Sequence, residues 1–332
     1  VNERIDWVDV AKGLGILLVI YGHAIGGIMN SSGVQISRAL YDTYNVIYGF
    51  HMPLFFFLSG LFASKWVQRE WHLAFKQKAL TLVIPYFIWT FITGTVMAIS
   101  KRFTNSGLGF RNVLWSPIAP FSEYWFLYVL FFSFVIYYFG IRIIGKSGLF
   151  SLAIVLFFLR PFIYHFWIFD AFSLDFLFFM VGTAILQRKS LKRFLLVSKV
   201  KFFCSILIFI FVNIIYVKVL SFDNYLFGSY FKIFTISVGI LFAIYLSQFI
   251  VKSRWLNNAV SYLGRCSMAI YVMHLIPIAG SRIVAIKFLK VSNTFGLSII
   301  ISIIALVTCL VGYIILNKTW LGRLSFGQIK KI

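Results

Sequence analysis

Charge is what this chain has least of. Only 12% of its 332 residues are Asp, Glu, Lys or Arg, about half the share usual in soluble globular proteins. Hydrophobic residues make up 61%, and Phe alone fills 40 positions. That balance excludes a soluble globular protein and implies a polytopic membrane protein. Cysteine is rare too. Cys204, Cys266 and Cys309 lie far apart, each in or beside an apolar segment. With no CxxC pair and no zinc-type spacing, they read as small core residues, and neither a disulfide nor a metal site is expected. No Walker A loop, GxSxG elbow or GxGxxG followed by a ribose-binding acid occurs. Internal repeats and low-complexity linkers are missing as well. The first apolar run follows acidic as well as basic residues and lacks a small-residue cleavage site, so a retained span is expected rather than a signal peptide.

The charge that is present has one dominant sign: 31 Lys and Arg against 9 Asp and Glu, a net +22. In a soluble protein that excess would suggest nucleic acid. No basic-aromatic motif accompanies it here, and no nucleic-acid partner is expected. The basic residues sit mainly in loops, where they set topology and meet the anionic headgroups of a lipid bilayer.

A helical span needs about 20 mostly apolar residues. Ten segments qualify, near 12–29, 44–63, 80–100, 122–140, 148–168, 171–187, 202–220, 231–250, 267–288 and 295–316. The fold class is therefore all-α, with about ten transmembrane helices forming one membrane domain over residues 1–332. The fifth and sixth segments are divided only by Phe169-Asp170, and the ninth contains Pro277, Arg282 and Lys287. With the amino terminus inside, most basic residues fall at inner segments. The loop holding Arg188, Lys189, Lys192, Arg193, Lys199 and Lys201 is the strongest local signal. Both termini are accordingly expected in the cytoplasm.

Three histidines interrupt apolar segments, and an ionisable group at that depth needs a reason to be there. His23 follows Lys12 by eleven residues, about three helical turns or roughly 16 Å of rise, which returns it to nearly the same face. Gly15 and Gly22 between them allow another helix or a ligand close approach. A neutral imidazole can take a proton from a hydroxyl near neutral pH, so His23 is either a general base or a histidine bonded between helices for packing. His51 lies in Phe50-His51-Met52-Pro53, where the proline frees a carbonyl and irregular backbone should be buried or line a cavity. It reads either as a partner facing His23 or as a helix-kink residue. His274 ends Tyr271-Val272-Met273-His274 and is open to a catalytic or a structural role. Glu123 opens the fourth segment, where it can orient a histidine or bind a sugar hydroxyl. Tyr124 and Trp125 beside it suit a sugar ring or an interfacial aromatic belt. Arg265 suits a phosphate or the ordinary positive-inside pattern. His165 and Asp170 have an HxxxxD spacing, but with no accompanying Phe-Pro-Glu-Gly run and in an expected outer loop they carry little.

Taken together these residues resemble the membrane acyltransferase-3 family, and within it the fucose 4-O-acetylase-like branch. The first span fits the branch pattern D-x-x-K-G-x-x-I-x-x-V-x-x-G-H at Asp9, Lys12 and His23. The wider family has Arg where this chain has Lys12, a point charge rather than a planar fork. Phe50-His51-Met52-Pro53 through Leu58-Ser59-Gly60 is similar to the second-span motif, and Trp125-Phe126-Leu127 to the middle-span W-F-L. Leu263-Gly264-Arg265 through Tyr271 to His274 is similar to the late motif. The resemblance implies O-acylation, most often O-acetylation, of a carbohydrate at the bacterial cell envelope, with acetyl-CoA as donor substrate and no bound cofactor. On that basis His23 is expected as general base, with His51 and Glu123 orienting the reacting groups. Lys12, Lys76, Lys78 and Arg265 are expected to meet the donor's phosphates, and Asp9, Trp125, Tyr271 and His274 to support the site. The expected location is the bacterial inner membrane, and the acceptor a surface polysaccharide or its lipid-linked precursor. Two alternatives stand beside this: a glycan transporter or polymerase, and a different membrane acyltransferase with His274 as its catalyst. The sequence sets no oligomeric state.

Overall fold

The computed structural model describes residues 5–31, 33–100, 109–163, 167–185, 189–220 and 225–328. Helix α1 (Asp6–Met29) opens with Asp6 and Asp9 in its first turn, where acids favour the positive end of the helix dipole. After it come α2 (Arg38–Tyr48), α3 (His51–Trp66), α4 (Trp71–Lys78) and α5 (Ile84–Ile99). A π-helical turn, Ala79–Val83, runs into α5, whose first turn carries Pro85. The short α6 (Phe110–Leu114) is followed by a 3-10 turn, Ser122–Tyr124, and by α7 (Trp125–Ile143) and α8 (Gly145–Ile163). Next are α9 (Trp167–Ile185), α10 (Lys189–Phe194), α11 (Lys199–Leu220), α12 (Tyr225–Val251) and α13 (Arg254–Arg265). The chain ends through α14 (Ser267–Met273), α15 (Leu275–Ile283), a π-helical turn, α16 (Thr294–Leu316) and α17 (Trp320–Ser325). Asn293 and Thr319 cap the last two helices by accepting from Gly296 and Gly322 backbone N–H groups.

Nine helical segments among the described residues are long and apolar enough to cross a membrane, and a bent pair brings the number to ten. The chain is thus a multi-pass, all-α membrane protein. Two details differ from the sequence expectation. The ninth span is not straight: Ser267–Met273 and Leu275–Phe288 meet at 45°. Pro277 has no N–H to give the carbonyl four residues back, so the backbone ladder opens beside His274. Phe169 and Asp170 do not divide two helices either, because both lie in the first turn of α9. Asp170 carboxylate oxygens take the Arg160 guanidinium at 2.7 and 3.1 Å. Pairing makes two charges tolerable at the facing ends of the apolar helices α8 and α9. His165 lies outside the described residues.

The chain packs as two compact units. Unit 1 takes the residues up to Gly15, Asn45–Phe75 and Val129–Arg265. Its main contact lays α3 on α9 through facing glycines. A Cβ on Gly60 would fall 2.1 Å from the Phe179 carbonyl oxygen, and one on Gly182 would fall 2.2 Å from that of Phe57. Only glycine lets two backbones approach so closely. The start of α1 meets α13 in the same way, Gly264 against the Asp9 carbonyl and Gly13 against that of Val260. Unit 2 takes Ile16–Tyr44, Lys76–Tyr128 and the chain from Cys266 onward. There α5, α14, α15 and α16 pack together, and the Trp89 indole N–H holds α17 by donating to Ser325 O at 3.0 Å.

Gly182→Val should force α3 and α9 apart and destabilise the protein by about 1–3 kcal/mol, the usual range for overpacking. A lowered thermal midpoint in detergent is the expected reading. Gly228→Ala, on α12 with nothing near its Cβ position, should leave the midpoint unchanged or raise it.

Candidate active site

His23, Glu123, Tyr271 and His274 all belong to unit 2. Residue His23 is placed by α1 and His274 by the hinge between α14 and α15. Their ring centroids are 4.9 Å apart and tilted by 45°. The Glu123 carboxylate oxygen Oε2 stands 3.9 Å from His23 Nε2. That is an ion-pair distance but longer than a hydrogen bond, so a small polar group can engage both. The three groups differ in access. Glu123 is 37% exposed and His23 11%, while His274 is fully buried.

The tautomer of His274 follows from its partner. Nδ1 lies 2.5 Å from the Tyr271 carbonyl oxygen, which can only accept, so Nδ1 carries the proton and Nε2 the lone pair. That Nε2 is buried and has no hydrogen-bond partner among the described residues.

Glu123 is held by its backbone rather than by its side chain. The Tyr271 hydroxyl donates to Glu123 O. Two residues earlier, the Phe121 N–H donates to the Tyr86 hydroxyl at 3.2 Å, and that hydroxyl donates to Ser116 O at 2.6 Å. Between these anchors Ser122 sits at φ 46°, a left-handed conformation unusual for a residue with a Cβ. Tyr124 next to it donates to Val272 O at 2.8 Å and shares a 2.6 Å bond with Thr93 Oγ1. The set can therefore take a proton from a bound hydroxyl: an imidazole accepts it, and a carboxylate placed in advance stabilises the resulting cation.

The other sequence-predicted residues fall as follows. Asp9 and Lys12 on α1 are half-buried in unit 1, and Arg265 is exposed at the end of α13, whose Gly264 touches the Asp9 backbone. Lys76 and Lys78, in the last turn of α4, belong to unit 2. Trp125 starts α7, half-buried. His51 belongs to unit 1, where its buried Nδ1–H donates to Ile47 O at 2.8 Å and its ring meets Tyr48 edge-on. That bond crosses the break between α2 and α3, the kink arrangement open to it from sequence. No group of three or more His, Cys, Asp or Glu among the described residues is arranged to hold a metal ion. The three cysteines are free. The sequence signalled nothing about Tyr86, whose hydroxyl serves the loop backbone, or Thr93, whose hydroxyl pairs with that of Tyr124. Arg282 was visible as a charge in an apolar segment, although its place in this unit was not.

Fold and site together define a multi-pass helical membrane protein that holds two histidines and a carboxylate side by side within an apolar bundle. The chain belongs to the family described as "Acyltransferase domain" (Acyl_transf_3), which matches residues 5–317. It is 29% identical over 137 residues to nodulation protein NolL of Sinorhizobium fredii, covering 41% of this chain and 36% of that protein. It is also 29% identical over 143 residues to nodulation protein NolL of Mesorhizobium japonicum, covering 41% of this chain and 35% of that one. The matched stretch thus spans about a third of the length of either relative. No solved structure matches the chain.

Tyr271→Phe removes the hydroxyl that fixes Glu123 and keeps the ring and the carbonyl that holds His274. Misplacing a catalytic group by about 1 Å can cost 10²-fold. The variant should accumulate and melt much like the native chain, yet lose about 10- to 100-fold in acyl transfer rate. An unchanged rate would remove the clamp from the site.

Proposed function

We propose that the chain is a bacterial inner-membrane O-acetyltransferase. It moves an acetyl group from cytoplasmic acetyl-CoA to a sugar hydroxyl of a surface polysaccharide or its lipid-linked precursor. The observation that carries this reading is His23 set between the Glu123 carboxylate and the His274 ring, in a chain of an acyltransferase family. The acceptor hydroxyl oxygen attacks the thioester carbonyl carbon while its proton passes to His23. The tetrahedral intermediate collapses by breaking the carbon–sulfur bond. The departing thiolate takes the proton back from His23, leaving an acetyl ester and free CoA. Glu123 stabilises the imidazolium formed in between, and His274 presents Nε2 as a second acceptor for the same proton.

The residues assigned to chemistry are His23, Glu123 and His274. His51, bonded across the α2–α3 break, is assigned to holding that break. Lys12, Arg265, Lys76 and Lys78 are assigned to the anionic donor, with both termini in the cytoplasm. Lys12 offers phosphate a point charge.

The test is transfer of label from acetyl-CoA to host envelope glycan in membranes with matched protein levels. His23→Ala should lose at least 10²-fold, the usual contribution of a general base. Loss in His274→Ala with full activity in His23→Ala would move the base to His274. Lys12→Ala should raise KM for acetyl-CoA more than it lowers kcat, and Lys12→Arg should restore it. No label transfer by the native chain to any host glycan would turn the assignment toward a transporter or polymerase of the same glycan.

A further inference from the structure

Arg282 on α15 belongs to unit 2 and is 6% exposed. Its Nη1 donates to Gly27 O at 3.1 Å and to Ser31 Oγ at 2.9 Å, and Ser31 donates in turn to Gly27 O. All of these acceptors are neutral. No carboxylate among the described residues pairs with this guanidinium, in contrast to Arg160, which has Asp170.

Its position relative to the histidines is set by helix register. Gly27 follows His23 by four residues, and Arg282 follows His274 by eight. A Cβ on Gly27 would lie 3.3 Å from Arg282 Cδ and 3.9 Å from Ile278 Cγ2. The two helices therefore meet along His23, Gly27 and Ser31 on one side and His274, Ile278 and Arg282 on the other. One to two turns separate the guanidinium from the imidazole pair, roughly 6–12 Å along the axis.

Part of the reason for a cation here is local. Gly27 O belongs to the last turn of α1, and the carboxyl end of a helix carries roughly half an elementary negative charge. That does not match a full guanidinium charge inside an apolar span, where a buried cation needs a counter-ion. Two hydrogen bonds from one nitrogen also leave the planar fork, which fits carboxylate and phosphate oxygens two at a time, largely unused.

We propose that Arg282 is the anion-recognition residue of the acceptor site. It pairs with a carboxylate or phosphate carried by the acceptor, about one sugar ring away from the hydroxyl that meets His23. The substrate class is then an acidic or phosphate-linked sugar rather than a neutral one. This rests on the acyl-transfer reading above and adds the acceptor's charge to it.

Two measurements on the full-length detergent-purified chain test the assignment. In the first, the thermal midpoint is followed with D-glucuronate, inorganic phosphate or glucose. Glucuronate or phosphate should raise the native midpoint by several degrees and glucose should not. The larger of the two anion shifts identifies carboxylate or phosphate as the group recognised. The shift should vanish in Arg282→Gln and shrink in Arg282→Lys, which keeps a cation near Gly27 O if the neutral variant folds poorly. No anion-specific shift in the native chain, or an undiminished one in Arg282→Gln, overturns the proposal.

The second measurement compares acetyl transfer to methyl glucuronoside and methyl glucoside. The native chain should favour the acidic acceptor at least 10-fold in kcat/KM, and Arg282→Gln should bring the ratio near one, chiefly through KM. An equal fall on both acceptors would make Arg282 a helix clamp only. A native chain that transfers acetyl to neither acceptor, while still showing the anion shift, would fail the acyl-transfer reading and keep the anion site.

Discussion

A histidine buried among apolar helices must give its ring N–H to an acceptor, because an unmade hydrogen bond there is costly. His274 meets that requirement through the carbonyl of Tyr271, three residues back. The acceptor is available because α14 ends at Met273 and the span bends by 45° at the next residue. Near a helix terminus the carbonyls run out of intrahelical partners. The bend thus fixes the tautomer, and the tautomer leaves Nε2 as a base. The same residue sends its hydroxyl the other way, to the Glu123 carbonyl. Tyr271 therefore sets both the proton state of one catalytic candidate and the backbone position of another.

Glu123 shows what such positioning requires. Its segment is too short for regular helical bonding, and Ser122 is held in the left-handed region. A residue with a Cβ adopts that conformation at a cost of roughly 1–3 kcal/mol, and only where its surroundings over-determine it. Here the surroundings are two tyrosine hydroxyls, from Tyr86 and Tyr271, acting on the backbone at Phe121 and Glu123. The carboxylate itself is left open to what binds. A glutamate placed on a regular helix would need no such anchors, but its direction would then be set by the helix and not by the site.

Much of the fold was legible because the bilayer leaves few options. Runs of about 20 apolar residues can only be helices there, and the ten expected segments correspond to the nine long apolar helical segments and the bent pair among the described residues. Pro277 and Arg282, which interrupt the apolar run of the ninth segment, mark where it bends and what it carries toward its far end. Of the candidate site, His23, Glu123 and His274 were legible as ionisable groups in apolar segments, and the structure places the three side by side. The divide between the fifth and sixth segments does not fall at Phe169-Asp170, since sequence shows the Asp170 charge but not its pairing with Arg160. Tyr86 and Thr93 were illegible for a different reason. A hydroxyl that serves a backbone carbonyl or a neighbouring hydroxyl leaves no mark on spacing or periodicity, and aromatic residues are too common in this chain for one Tyr to stand out.

The graded burial of the three groups bears on how an acyl group can be moved without being lost to water. A thioester held beside a base and free water is hydrolysed, so a transferase must let the acceptor hydroxyl reach the base while keeping water sparse. Glu123 is the most open of the three, His23 is nearly closed and His274 is sealed. On the proposed acyl-transfer reading, a hydroxyl entering past Glu123 would meet His23 before the more deeply buried His274. The Nε2 of His274 stands as a further acceptor in the lone-pair state that the bend imposes. On the same reading, the carboxylate would supply a counter-charge 3.9 Å from His23 Nε2 for the cation formed during transfer.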